Sequence, residues 1–344
     1  MAIYTRILKQ RVRAIISWIA GQARNDKSNY MTTKQIYDLA VKMGIKADLR
    51  GEQKVKKYLE RGKKKYEEMS AVEKSEFDLE KLFNPYSDTR ILFDCEKKEV
   101  KKILAGVDME GAELLLAEKF GADLVIAHHP EGLALADLHS VMDLQAEVLS
   151  QYGVPINIAE SLIKPRISEV GRGVSPINHN RSVDMARILK LNYMCVHTPA
   201  DNLGANFLVN LLKKKKCEYV SEVLKMLKEI PEFNQAGKLK AGPKLFVGAP
   251  ENSCGKVVIT EFTGGTSGSK EIYEKMAQAG IGTIIGMHMS EEHRKEAEKY
   301  HLNVVIAGHM ASDSLGMNLF LDELEKKGVQ VTATSGLIRV KRGK

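Results

Sequence analysis

A chain of 344 residues, 44% hydrophobic and 28% charged, has room for two or three domains around a sizeable core. It contains no run of about 18 apolar residues and no signal-peptide pattern, so a cytoplasmic protein without a membrane partner is expected. Cys95, Cys195, Cys217 and Cys254 lack CxxC spacing, which argues against a zinc ribbon or an iron–sulfur ligand set and fits a reducing compartment.

The net charge of +8 is unevenly placed. Residues 1–86 carry 19 Lys+Arg against 11 Asp+Glu, and the remaining 33 basic and 33 acidic residues cancel. That asymmetry predicts a separate basic helical extension over 1–86, either a solvated helical cap or oligomerisation arm, or a nucleic-acid contact. Within it, Ile7, Leu8, Val12, Ile15, Ile16 and Ile19 recur at helical spacing over residues 4–22. Thr32 or Thr33 is placed to cap a second helix through Ile36, Leu39 and Met43, with Gly44 as its C-cap. A lysine-rich helix follows from about Gln53 to Met69, and Asn84-Pro85-Tyr86-Ser87 marks the boundary turn.

From Thr89 the pattern changes to α/β alternation. Strands are expected at Thr89–Phe93, Ile103–Asp108, Leu124–Ala127, Val154–Ile158 and Tyr193–His197. Helices are expected over 109–120, with Leu114, Leu115 and Ala117 inward, near 138–151, and near 180–190, with a break at Gly171–Pro176. Residues 203–244 read as helical and then loose. A second unit starts with strands at Leu245–Gly248 and Lys256–Phe262. Its glycine- and serine-rich loop Gly264-Gly265-Thr266-Ser267-Gly268-Ser269 opens a helix over Lys270–Ala279, a place where backbone N–H groups can cradle a phosphate. The expected fold is therefore α/β: two lobes with mainly parallel sheets flanked by helices, at 87–212 and 213–344, plus the N-terminal extension.

Histidines punctuate the strand ends. Leu124-Val-Ile-Ala-His-His-Pro130 places His128 and His129 where a buried strand stops, because Pro130 forbids further pairing. Extended alternation would turn the two rings to opposite sides, each suited to its own metal ion. Tyr193–His197, Thr283–His288 and Val304–His309 end the same way, so five of nine histidines converge on one sheet edge, where open α/β sheets bind ligands. His139, His179, His293 and His301 read as solvated or packing residues. Cys195 reads as a core residue. His197/Asp201 and His309/Asp313 are each four apart, the spacing that puts both side chains on one helix face.

Three of these segments, Gly121–Pro130, Val196-His-Thr-Pro-Ala-Asp201-Asn-Leu-Gly204 and Ala307-Gly-His309-Met-Ala-Ser-Asp313, resemble the Nif-three-like dinuclear-metal-centre family, the homologues of type 2 GTP cyclohydrolase I. The resemblance spans residues about 90–340 and leaves the first 85 aside. It implies that His128, His129, Asp201, His309 and Asp313 hold two divalent transition-metal ions (Zn, Fe, Mn, Co or Ni), that two α/β lobes meet at the metal cleft, and that the chain assembles as a homohexameric ring. Asp313 departs from the family, which usually has glutamate there. A carboxylate one methylene shorter bridges two ions only if its helix sits closer.

The leading expectation is a two-metal hydrolase for a nucleotide-like or phosphorylated compound, with His197 or His288 handling protons. The alternatives are a metal carrier or cofactor-assembly protein without turnover, and a nucleic-acid-binding regulator acting through residues 1–86.

Overall fold

The computed structural model describes residues 30–96 and 99–342, so the helix expected over 4–22 lies outside it. Nine strands are described: β1 (Arg90–Phe93), β2 (Lys102–Gly106), β3 (Leu124–Ala127), β4 (Asn192–Cys195), β5 (Lys244–Val247), β6 (Lys256–Ile259), β7 (Ile281–Gly286), β8 (Asn303–Ile306) and β9 (Gln330–Thr334). They form two sheets, in the orders β1-β4-β3-β2-β9 and β5-β8-β7-β6. In the first, β1 runs antiparallel to β4 and the rest are parallel; in the second, β5 runs antiparallel to β8 and the rest are parallel. The two sheets thus repeat one topology, with β9 added to the first.

The helices are α1 (Thr33–Ala47), α2 (Glu52–Glu68), α3 (Ala71–Glu76), α4 (Gly111–Phe120), α5 (Gly132–Ala136), α6 (Asp143–Gln151), α7 (Ile156–Val174), α8 (Arg181–Leu189), α9 (Thr198–Lys215), α10 (Val220–Lys228), α11 (Pro231–Lys238), α12 (Ile272–Gln278), α13 (Glu291–Lys299) and α14 (His309–Glu325). Both faces of each sheet are covered, which is why the strands read as unbroken apolar runs. Ile103, Leu124, Ile126 and Met194 pack on α1, α9 and α14, while Leu104, Val125, Tyr193 and Cys195 pack on α4 and α8. In the second sheet, Val258, Ile284 and Val304 meet α6, α7 and α12, and Ile259, Ile285 and Val305 meet α9, α10 and α14. Helices α9 and α14 therefore lie between the sheets and belong to both cores.

Two segments from outside residues 87–212, α1 and β9, join the first core. Thr32 caps α1 in a capping box, accepting from the Gln35 N–H at 3.2 Å while Gln35 Oε1 accepts from the Thr32 N–H at 2.9 Å. The helix then buries Ile36, Tyr37, Ala40 and Val41 in the first core, where Ile36 and Val41 each contribute about 1.5–3 kcal/mol. So α1 is part of that core, whereas α2, burying only Val55, is a solvated basic helix. Gly44 is not a C-cap either. It lies inside α1, facing Pro199, whose Cα would sit 2.7 Å from a Cβ at that position. At the other end, β9 returns to pair with β2, so the division at residue 212 does not separate the two cores.

Two local expectations also change. Val154–Ile158 is not a strand: α7 begins at Ile156 and runs through Gly171 and Gly173 to Val174, carrying Pro165 in its interior. Leu115 is 44% exposed, because α4 buries only the Leu114 and Ala117 stripe. Among the described residues, no helix is long and apolar enough to cross a membrane.

Candidate metal centre

The parallel strands deliver their carboxyl ends to one cleft. β3 stops at Ala127, and the chain bends at the two histidines, so the alternation expected of an extended strand does not hold there. Both rings enter the same cleft, with centroids 5.4 Å apart. His128 is buried; its Nδ1 faces the Val196 carbonyl at 3.0 Å, which leaves Nε2 aimed at the cleft. His129 is fixed in the same manner by Asp108, the acid after β2, at 2.6 Å from Nδ1.

The opposite wall comes from α9 and α14. Asp201, in the first turn of α9, and Asp313, one turn into α14, are both buried. The helices approach closely because glycine stands at their crossing: a Cβ on Gly316 would lie 2.2 Å from the Ala200 carbonyl oxygen, and one on Gly204 would meet Gly316 at 3.5 Å. That close approach is what lets an aspartate reach where a longer side chain was expected.

Asp313 sits between the histidines. Its Oδ1 is 3.5 Å from His128 Nε2, and its Oδ2 is 3.6 Å from both His129 Nε2 and His309 Nε2. Asp201 Oδ1 is 3.4 Å from His128 Nε2. Three groups among the described residues could hold a metal ion: His128/Asp201/Asp313 and His129/His309/Asp313, which share Asp313, and His128/His129/His197. These separations are long for hydrogen bonds but match the roughly 3.3–3.4 Å between ligands of one tetrahedral ion with bonds of about 2.0–2.1 Å. His128 Nε2, Asp201 Oδ1 and both Asp313 oxygens are buried without a hydrogen-bond partner, the signature of groups that face a cation. The donor set therefore fits divalent transition metals without choosing among them.

His197 belongs to the same cluster, its ring 4.9 Å from that of His128. Its Nδ1 is held at 2.8 Å by Asp88 Oδ2, which also accepts from the Thr198 hydroxyl at 2.6 Å. Asp88 went unnoticed in the sequence, although the topology explains it. Because β1 is antiparallel to β4 and pairs Arg90 with Cys195, the second residue before β1, Asp88, meets the second residue after β4, His197. His288 stands at the other end of the cleft, its ring 4.8 Å from that of His309 and its Nδ1 3.4 Å from Ser267 Oγ.

The electrostatics follow from burial among carboxylates. Burial works against a charged His128, but Asp313 and Asp201 outweigh it and hold its pKa well above the ordinary value. His197 is likewise raised, burial being overcome by Asp201 and Asp88. Burial opposes the Asp313 carboxylate as well, yet the surrounding histidines keep its pKa well below the usual range. His309 goes the other way, lowered by burial and by the neighbouring rings against the pull of Asp313.

The glycine-rich loop forms the cleft's outer wall through Thr263, Gly265 and Thr266. Gln145 Nε2 donates to the carbonyls of Gly264 and Thr266 at 2.8 and 2.6 Å, and Arg166 Nε to that of Ser267 at 3.0 Å. Gly264 and Gly265 have φ near +88°, and side chains there would press on Gln145 and Met142. α12 starts only at Ile272, and Glu271, held low by Ser269 and by its own backbone N–H, supplies the negative charge at that end.

Among solved structures, the chain is similar to a NIF3 superfamily protein from Sphaerobacter thermophilus, with 25% identity over 90% of this chain and 99% of that chain and a TM-score of 0.72. The fold is that of the NIF3 superfamily. Fainter likenesses join this NIF3-like chain to reduced HcgD from Methanocaldococcus jannaschii (16% identity, 69% of this chain and 84% of that chain, TM-score 0.44) and to a hypothetical protein of Staphylococcus aureus (14%, 76% and 94%, TM-score 0.43). No family model and no curated protein matches the sequence. Ninety per cent of 344 residues exceeds the 258 that follow residue 86, so the NIF3 likeness takes in part of the N-terminal helices that the motif resemblance had left aside.

Proposed function

We propose that this NIF3-like chain is a dinuclear metal protein that hydrolyses a nucleotide-like or phosphorylated compound. The observation that carries the reading is Asp313, whose two buried oxygens face different histidines and so can serve one ion each. His128, Asp201 and Asp313 would hold one ion, and His129, His309 and Asp313 the other. Two divalent ions held there would supply Lewis acidity, lowering the pKa of water toward neutrality and offsetting negative charge on oxygen. Around them, Asp108 and the Val196 carbonyl fix the two histidine rings, and the Asp88–His197 pair and His288 are placed to move protons at the cleft.

A screen of phosphate esters and nucleotides with the metal-loaded chain tests this. Turnover should be abolished in both Asp201→Ala and His309→Ala; activity that survives in both would end the reading. One observation favours the alternative of a metal carrier: His309 is 39% exposed at the cleft mouth, so its ion would exchange readily. Transfer of metal to an apo acceptor, without turnover of any compound in the screen, would decide for it.

A further inference from the structure

The second sheet brings a third chemistry-bearing residue to the cleft. β7 leads to His288 and β8 to His309; β6 leads through Thr260 to Glu261, which lines the cleft with both of them. Glu261 is not a glycine, yet it holds a φ of +51°, a conformation that costs of order 1 kcal/mol or more and persists where the surroundings demand it. Its side chain is 8% exposed. A carboxylate buried to that degree needs donors, and Glu261 is short of them. Oε1 makes no hydrogen bond, although His293 Nδ1 stands 3.2 Å away, within ion-pair range, and the Tyr273 hydroxyl, which engages that nitrogen at 3.1 Å, is near enough that burial and the Glu261 carboxylate together raise its pKa. His293 and Tyr273 are themselves buried and line no part of the cleft, whereas Glu261 does, so the cleft is where a further donor can reach it.

We propose that Glu261 is a recognition carboxylate, accepting hydrogen bonds from an N–H-bearing group (an amine, amidine or amino-substituted ring) of the compound that occupies the metal cleft. This rests on the reading of the cleft as a dinuclear site and narrows its ligand. The two ions attract the anionic or oxygen-rich end, and Glu261 repels a second anionic end and selects a donor there. Compounds carrying only phosphate and hydroxyl groups leave the buried carboxylate unmatched, a loss that binding sites of this kind punish strongly.

The test is calorimetric titration of the full metal-loaded chain with matched probes. O-phosphoethanolamine is set against ethyl phosphate, and guanosine 5′-monophosphate against purine riboside 5′-monophosphate. The wild type should bind the N–H-bearing member of at least one pair tenfold or more tightly, and Glu261→Gln should lose most of that preference with its metal content unchanged. Equal affinities within both pairs, no binding of any probe, or a preference that survives Glu261→Gln would overturn the proposal. A wild type that holds no metal would instead sink the dinuclear reading itself, which elemental analysis of the same sample separates from these outcomes.

Discussion

Replacing Gly316 by alanine tests whether helix spacing builds the metal centre. An added Cβ would lie 2.2 Å from the Ala200 carbonyl oxygen and 2.7 Å from its carbonyl carbon, and both are backbone atoms that no rotamer change can move. Relief to ordinary contact requires α9 and α14 to part by roughly 1 Å. Alanine is favoured over glycine within a helix by about 1 kcal/mol, whereas forcing a methyl into a packed interface costs about 1–3 kcal/mol. The net change should be a destabilisation of about 0–2 kcal/mol, small enough to leave the protein folded. The site suffers more, since Asp313 lies one turn before Gly316 and Asp201 directly follows Ala200. Parting the helices moves the two carboxylates away from each other across His128. Metal affinity should fall tenfold or more by calorimetry, while urea unfolding of the metal-free protein shifts only slightly. Gly62→Ala is the control: it lies on the exposed α2, where a Cβ meets nothing closer than 4.0 Å, so stability should rise by up to about 1 kcal/mol with metal binding untouched. Wild-type affinity in Gly316→Ala would refute the argument.

Asp313→Glu restores the residue more usual in the resembling family, but here it drives an extra methylene between rings already within 3.6 Å; affinity should drop in a metal titration despite the unchanged charge. Asp88→Asn removes the charged acceptor of both His197 and Thr198; the metal should stay, while the His197 ring nitrogens change their shifts by NMR and turnover falls. Deletion of residues 30–50 strips Ile36, Tyr37, Ala40 and Val41 from the first core and should yield insoluble or unfolded protein by circular dichroism, whereas a detachable arm would leave a cooperative melt. Truncation before Gln330 uncovers the edge of β2 and should lower the unfolding midpoint sharply in the same assay.

The strand ends and their histidines were legible because both sheet faces are buried, so apolar runs stop where chemistry begins. His128, His129, His197, His288 and His309 lie together with Asp201 and Asp313 at those strand ends. What escaped the sequence depends on contacts between distant segments. Asp88 needs the antiparallel edge strand, Glu261 needs an unusual backbone angle, and the place of α1 and β9 in the first core needs tertiary pairing that no local pattern encodes. Val154–Ile158 misled because Ile, Asn and Ile after a proline fit a strand and a helix start equally well, and the length of α7 decides only when its whole buried stripe is seen. The repeat of one four-strand topology in both sheets was invisible for the same reason, since it survives in pairing order rather than in residue identity.

The measurement that bears most directly on the account is metal content per chain, by elemental analysis of protein purified without added metal, beside the His128→Ala/His129→Ala double variant. About two ions per chain in the wild type, lost in the variant while its fold persists, is the predicted result. Metal absent from the wild type, or retained in full by the variant, would contradict it.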